Sequence, residues 1–191
     1  MKIIINESQL RMIVENEEKK DNLIDFTPFY TSGIPLGEWD DMFEHLNNKK
    51  GGKYDGYYIY ENVNSRESDV TELKYLVEVR GYLNLYNSQF ESLPMLKFVG
   101  DNLNLSNTSI ESLPMLKFVG SNLFLRGVLI KSLPMLKYVG SSLNLYYSQI
   151  ESLPKLEYVG SDLDLRNTPL SDATTEEELR KQINVEAGIY L

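Results

Sequence analysis

The chain has 191 residues, 42% hydrophobic and 25% charged, which suits one ordinary domain or two small ones and argues against disorder. Its net charge of −9 has the wrong sign for gripping a phosphate backbone, and no run approaches the roughly 20 apolar residues that cross a bilayer, so neither nucleic acid nor a membrane is an expected partner. With no cysteine there are no disulfides, thiolate zinc sites or thiol nucleophiles.

The first 18 residues, "MKIIINESQLRMIVENEE", read as a short strand followed by a helix. Asn6 and Gln9 have capping-box spacing, and Leu10, Ile13 and Val14 share one face. Asn6 and Glu7 interrupt the opening before a signal-peptide core could develop, which predicts a soluble, unsecreted protein. Residues 38–47, "EWDDMFEHLN", place Trp39, Met42, Phe43 and Leu46 at i, i+3, i+4 and i+7, the stripe of a helix covering an apolar end. "KKGGKYDG" then reads as a turn. "GYYIYENVNSRESDVTELKYLVEV" fits a degenerate first coil with Tyr58 and Tyr60 pointing inward and five extra residues; a one-residue slip would exchange that pair for Tyr57 and Ile59.

From residue 82 a pattern returns every twenty residues: "YLNLYNSQFESLP", "NLNLSNTSIESLP", "NLFLRGVLIKSLP", "SLNLYYSQIESLP" and "DLDLRNTPLSD". Between these lie "MLKFVG", "MLKFVG", "MLKYVG" and "KLEYVG". Fixed-period self-similarity marks a solenoid. Leu-x-Leu has period two, so Leu103 and Leu105 share one face and Asn104 takes the other, and stacking with Leu83/Leu85, Leu123/Leu125, Leu143/Leu145 and Leu163/Leu165 makes continuous apolar ladders. On the return arm Leu113, Leu116 and Val119 face inward, Pro114 restricts φ, and Gly120 permits the bend into the next strand. Glu91, Glu111, Lys131 and Glu151 form one outer column and Lys97, Lys117 and Lys137 another.

The run Leu103-x-Leu105-x-x-Thr108-x-Ile110-x-x-Leu113-Pro114 resembles the leucine-rich repeat, and the 20-residue period is most similar to the short bacterial subtype. The likeness covers about residues 57–191 and implies an α+β solenoid with a parallel β-sheet, mostly irregular return arms and short helical caps at both ends. Two departures stand out. The asparagine-ladder position carries Ser88, Thr108, Val128, Ser148 and Thr168, and the leucine before the strand is replaced by Gly100, Gly120, Gly140 and Gly160, with Val99, Val119, Val139 and Val159 as core substitutes. The opening of the chain resembles those of proteins from phages and mobile elements of Bacteroidetes-like bacteria, and its ending is similar to those of short repeat proteins from the same sources. That likeness implies the cytoplasm of a bacterial cell or phage-infected host, or a virion.

At the C-terminus Thr174 or Thr175 can cap a helix over about 175–183. Val185-x-x-x-Ile189-x-Leu191 repeats the spacing of Val159, Leu163 and Leu165, which predicts a last strand at 188–191 after a 26-residue coil. The domain reading is a strand-helix segment and helical cap (1–52), a solenoid (53–171), and a closing helix and strand (172–191).

Nothing in the pattern calls for catalysis, a metal or a cofactor. His45 is the lone histidine, on the lid helix beside Glu44, and reads as a surface residue. Asp40/Asp41, Asp162/Asp164 and Glu176/Glu177 are carboxylate pairs that read as solvated charge. No Asp ladder suggests calcium, and "KKGGKYDG" lacks the strand and helix of a phosphate loop. The informative surface is the outward strand face. Its middle row is Asn84, Asn104, Phe124, Asn144, Asp164, the next row is Tyr86, Ser106, Arg126, Tyr146, Arg166, and Tyr82 and Tyr147 flank them. Tyrosine and arginine are enriched in binding hot spots, and these positions vary among units while the core positions hardly do. The expected partner-binding residues are Tyr82, Tyr86, Phe124, Arg126, Tyr146, Tyr147 and Arg166. A protein partner is expected; a carbohydrate, or a structural role in a phage particle or other assembly, would use the same face or the N-terminal segment.

Overall fold

The computed structural model describes residues 22–28, 35–59 and 61–191. The strand and helix expected over the first 18 residues, and Tyr60, lie outside the described residues. Coils of twenty residues wind into a parallel β-solenoid. In chain order the elements are β1 (Leu23–Asp25), a 3-10 turn (Leu36–Glu38), α1 (Trp39–Lys49), β2 (Gly56–Ile59), β3 (Val63–Asn64), β4 (Leu76–Val79) and β5 (Leu83–Asn84). The repeats supply β6 (Phe98–Val99), β7 (Leu103–Asn104), β8 (Phe118–Val119), β9 (Leu123–Phe124), β10 (Tyr138–Val139), β11 (Leu143–Asn144), β12 (Tyr158–Val159) and β13 (Leu163–Asp164). The chain ends with α2 (Pro169–Ala173), α3 (Glu176–Gln182), β14 (Asn184–Val185) and β15 (Ile189–Tyr190).

Each repeat feeds two sheets rather than one. An eight-stranded sheet runs β1-β2-β4-β6-β8-β10-β12-β14 and a seven-stranded sheet runs β15-β13-β11-β9-β7-β5-β3. Parallel bridges Glu72–Ser92, Ser92–Ser112 and Ser132–Ser152 add a third, sparser side. The Leu-x-Leu ladders, Ile110 and its counterparts, and the return-arm Leu113, Leu116 and Val119 are buried, as the period-two and three-residue spacings require.

The return arm is more ordered than expected because it carries a strand of its own. Val119 faces in, and the residue before it faces out but is covered by its neighbours: Phe98, Phe118, Tyr138 and Tyr158 stack with centroids 4.9 Å apart, the strand spacing of the sheet. The glycine that follows is needed for close approach, not for a bend with positive φ. A Cβ on Gly120 would lie 2.0 Å from the carbonyl oxygen of Gly100, and Gly140 repeats that approach to Gly120. Any side chain here would push adjacent coils apart.

The hydroxyl column works as a turn closure. Thr108 Oγ1 donates to the Leu105 carbonyl at 2.7 Å, Thr168 Oγ1 to Leu165 at 2.7 Å, and Ser88 Oγ to Leu85. Val128 is buried in the same column without a donor. The buried Ser148 Oγ one coil later has no hydrogen-bond partner among the described residues. On the outer charge column Lys131 lies 3.5 Å from Glu151, relieving the repulsion of stacked glutamates.

The first coil corrects the sequence reading. Tyr57 and Ile59 are the buried pair and Tyr58 is half-buried. They belong to β2, which aligns with the return-arm strand, and the partner of Leu83 is Val63. No five-residue insertion exists, because Ile59 to Val79 and Val63 to Leu83 each keep the twenty-residue step. Val63 and Ser65 stand where later coils have leucines, which hid the repeat. The lid is as the helical stripe implies. Trp39 and Phe43 of α1 are buried, Met42 and Leu46 are half-buried, and the rings of Trp39 and Phe43 sit 6.2 and 5.7 Å from that of Tyr57. Phe26, just after β1, stacks on the same Tyr57 ring with centroids 4.4 Å apart.

At the other end α3 starts at a capping box in which Thr175 and Glu178 exchange hydrogen bonds. β14 and β15 then close both sheets, with Val159 opposite Val185 and Leu163 opposite Ile189, the longer last coil expected from spacing. Arg180 donates to the carbonyls of Val185 at 2.9 Å and Ala187 at 2.8 Å, so acceptors on the terminal coil are satisfied by a side chain.

Candidate functional site

Every coil leaves the seven-stranded sheet through the same turn, and that turn positions the outward residues. One residue per coil sits at positive φ: Glu67, Asn87, Asn107, Gly127, Tyr147 and Asn167. Asparagine and glycine suit that region; an aromatic residue does not. In the row before the turn, the side-chain oxygens of Asn84, Asn104, Asn144 and Asp164 accept from the backbone N–H two residues on, at 3.1 to 3.2 Å. The asparagines of the middle row therefore shape the turn, and Phe124 occupies that place with no such acceptor.

Beside this row runs the column Arg66, Tyr86, Ser106, Arg126, Tyr146, Arg166, one residue per coil. Arg66 lies over the Tyr86 ring at 5.1 Å. Tyr146 receives Arg126 at 5.2 Å from the coil before and Arg166 at 5.4 Å from the coil after, and Arg166 also lies 5.4 Å from the ring of Tyr190. Tyr147 packs edge-on against Tyr146 with centroids 4.4 Å apart. Its phenol beside Tyr146 pushes the Tyr146 hydroxyl above the ordinary tyrosine pKa, against the pull of the two arginines. Arg166 grips Asp164 through two hydrogen bonds, 2.9 and 2.8 Å, which hold that carboxyl below the usual aspartate range.

The structure thus brings Arg126, Tyr146, Tyr147 and Arg166 into one cluster, with half-buried Phe124 in the adjoining row. Tyr86 forms a second, smaller cluster with Arg66, and the buried Ser106 stands between the two. Tyr82 is not part of either. It sits at the opposite corner of its strand, where its N–H donates to Asn62 Oδ1 at 3.0 Å. Sequence reasoning missed Arg66 and Tyr190. Arg66 was legible as the residue sixty places before Arg126, but only once Val63 is placed opposite Leu83. Leu129, 49% exposed, was also passed over; with Pro114, Lys131 and Pro134 it lines a groove of about 500 Å³ on the third side of the coil.

Members of each carboxylate pair are engaged in the fold, and Asp41 is exposed. Asp40 accepts from Tyr57 Oη at 3.0 Å and from the Lys74 N–H at 2.6 Å, and burial pushes its carboxyl up. Asp162 accepts from Gly188 N–H at 3.0 Å, and Glu176 and Glu177 pair with Arg180 and Lys181 at 2.8 and 2.9 Å. Among the described residues no helix is long and apolar enough to cross a membrane. Compared with protein-family models, curated proteins and solved structures, the chain returns no match.

Proposed function

We propose that the chain is a non-catalytic module of leucine-rich-repeat type that binds another protein through the outward corner centred on Phe124, Arg126 and Tyr146, with Tyr147 and Arg166 beside them and Tyr86 extending the surface along the axis. One observation carries the reading. The coil of residues 121–140 keeps the inward leucines and isoleucine of its neighbours, yet Phe124, Arg126, Gly127 and Leu129 depart from the pattern on the outward corner and the arm that follows it, and the buried Val128 replaces a hydroxyl residue. Departures that give up an Asx hydrogen bond and a hydroxyl closure lower stability, so a use outside the fold accounts for them. A carbohydrate would stack on an open ring face, and the Tyr146 ring already has a guanidinium over it from the coil on each side and the Tyr147 ring against it, which weighs for a protein partner.

The test is affinity capture on the immobilised full chain, followed by titration of what is retained. A protein held by the unaltered chain should bind Lys117→Ala equally and Phe124→Ala or Tyr146→Ala about thirtyfold more weakly, with circular-dichroism melts confirming that each variant folds. Weakening by Lys117→Ala alone would move the function to the return arm.

A further inference from the structure

Arg166 displays how this column handles a carboxylate. Its guanidinium lies against the rings of Tyr146 and Tyr190, and the exposed edge of the fork takes both oxygens of Asp164. Stacking on an aromatic ring fixes the plane of a guanidinium and turns its N–H groups toward whatever lies outside. Arg126 over Tyr146 and Arg66 over Tyr86 repeat the stacking. Both are exposed, and among the described residues no carboxylate lies within ion-pair distance of either, Glu67 beside Arg66 included. Arg80, Arg166 and Arg180 each have one. On a chain of net charge −9, two stacked and unpaired arginines in one column form a local complement to negative charge.

Spacing adds a second constraint. Arg66, Tyr86, Ser106 and Arg126 follow one another at the coil repeat, so the two free guanidinium groups are three coils apart, roughly 14 Å at ~4.8 Å per coil. An extended peptide covers that length in about four residues. Between the arginines lie the Tyr86 ring, whose hydroxyl accepts from Asn107 Nδ2 at 3.4 Å, and the small, buried Ser106, with half-buried Phe124 in the adjoining row beside Arg126.

We infer that the segment this corner takes is an extended acidic peptide whose two carboxylates, about four residues apart, meet Arg126 and Arg66 while apolar side chains between them lie on Tyr86 and Phe124. The inference rests on the corner being the binding surface. A random dodecapeptide library panned on the full chain tests it. Recovered sequences should be enriched in Asp and Glu pairs spaced by three to five residues. Synthetic peptides from that pool should lose at least tenfold in affinity on Arg126→Gln, on Arg66→Gln, and when their acids are replaced by amides, with Lys117→Gln without effect. A pool with no acidic enrichment, or peptides indifferent to both arginine substitutions, overturns the inference. Neutral peptides whose binding falls with Phe124→Ala or Tyr146→Ala would overturn it while leaving the corner as the binding surface; peptides indifferent to those substitutions as well would remove both. Heparin oligosaccharides that bind in an Arg126-dependent way where the peptides do not would also overturn it, by assigning the cations to a sulfated glycan.

Discussion

The coils at 101–120 and 121–140 share an interior and differ at the corner. Leu103, Leu105, Ile110, Leu113, Leu116 and Val119 are matched by Leu123, Leu125, Ile130, Leu133, Leu136 and Val139, all buried. At the corner, Phe124 stands where Asn104 does, Arg126 where Ser106 does, Gly127 for Asn107, Leu129 for Ser109 and Lys131 for Glu111, and inside the turn the buried Val128 replaces Thr108. The inner side is set by packing against two neighbouring coils; the corner answers only to its own turn, and the second coil spends some of that turn's hydrogen bonding on a different surface.

If the interiors are equivalent, truncating equivalent leucines must cost the same. Leu105→Ala and Leu125→Ala should each destabilise the chain by about 2–5 kcal/mol, since each opens a cavity in a ladder shared with both neighbours. Urea denaturation followed by circular dichroism measures both. A cost below about 1 kcal/mol for either would mean that leucine is not sealed in, and a large gap between them would mean that the departures at the corner reach the core.

The hydroxyl column sharpens the comparison at a smaller scale. Thr108 closes its turn on the Leu105 carbonyl, whereas the buried Ser148 Oγ, next to Val128 in the stack, has no hydrogen-bond partner among the described residues. Thr108→Ala should therefore cost about 1 kcal/mol, and Ser148→Ala should be neutral or slightly stabilising, because it removes a buried polar atom that makes no bond. Equal losses from the two would show that Ser148 has found a donor or acceptor in solution and that the column is continuous.

What could be read from the letters follows the same division. The ladders, the closing strand of Ile189 and the lid stripe of Trp39 and Phe43 were legible because burial imposes a period, and a period survives in a single sequence. The second sheet was not, because Phe98 and Val99 are both buried, on opposite faces, and a two-residue run leaves no alternation to count. The first coil was misplaced because β-branched Val63 and polar Ser65 replaced the leucines that mark every later coil, while the aromatic run at Tyr57 imitated them. At the corner, Arg126 and Tyr146 could be paired by register alone. Arg66 depended on the lost first coil, and Tyr190 meets Arg166 across the longer terminal one.

Tyr147 is the position where fold and surface disagree most directly. Its φ is +57°, where Asn87, Asn107 and Asn167 hold the same turn at nearly the same angle, and its ring is 55% exposed. A left-handed conformation costs an ordinary L-residue about 1 kcal/mol, and asparagine bears it more easily. Against that gain stands the edge contact with Tyr146, worth about 0.5 kcal/mol at an exposed site. Tyr147→Asn is accordingly expected to leave stability unchanged or raise it by roughly 0.5 kcal/mol, and to weaken binding of a protein captured on the corner at least tenfold. Paired denaturation and titration experiments separate the two terms. A variant that is less stable and binds as before would show that the aromatic residue serves the turn after all, and the contrast between a packed interior and a variable corner would lose its clearest instance.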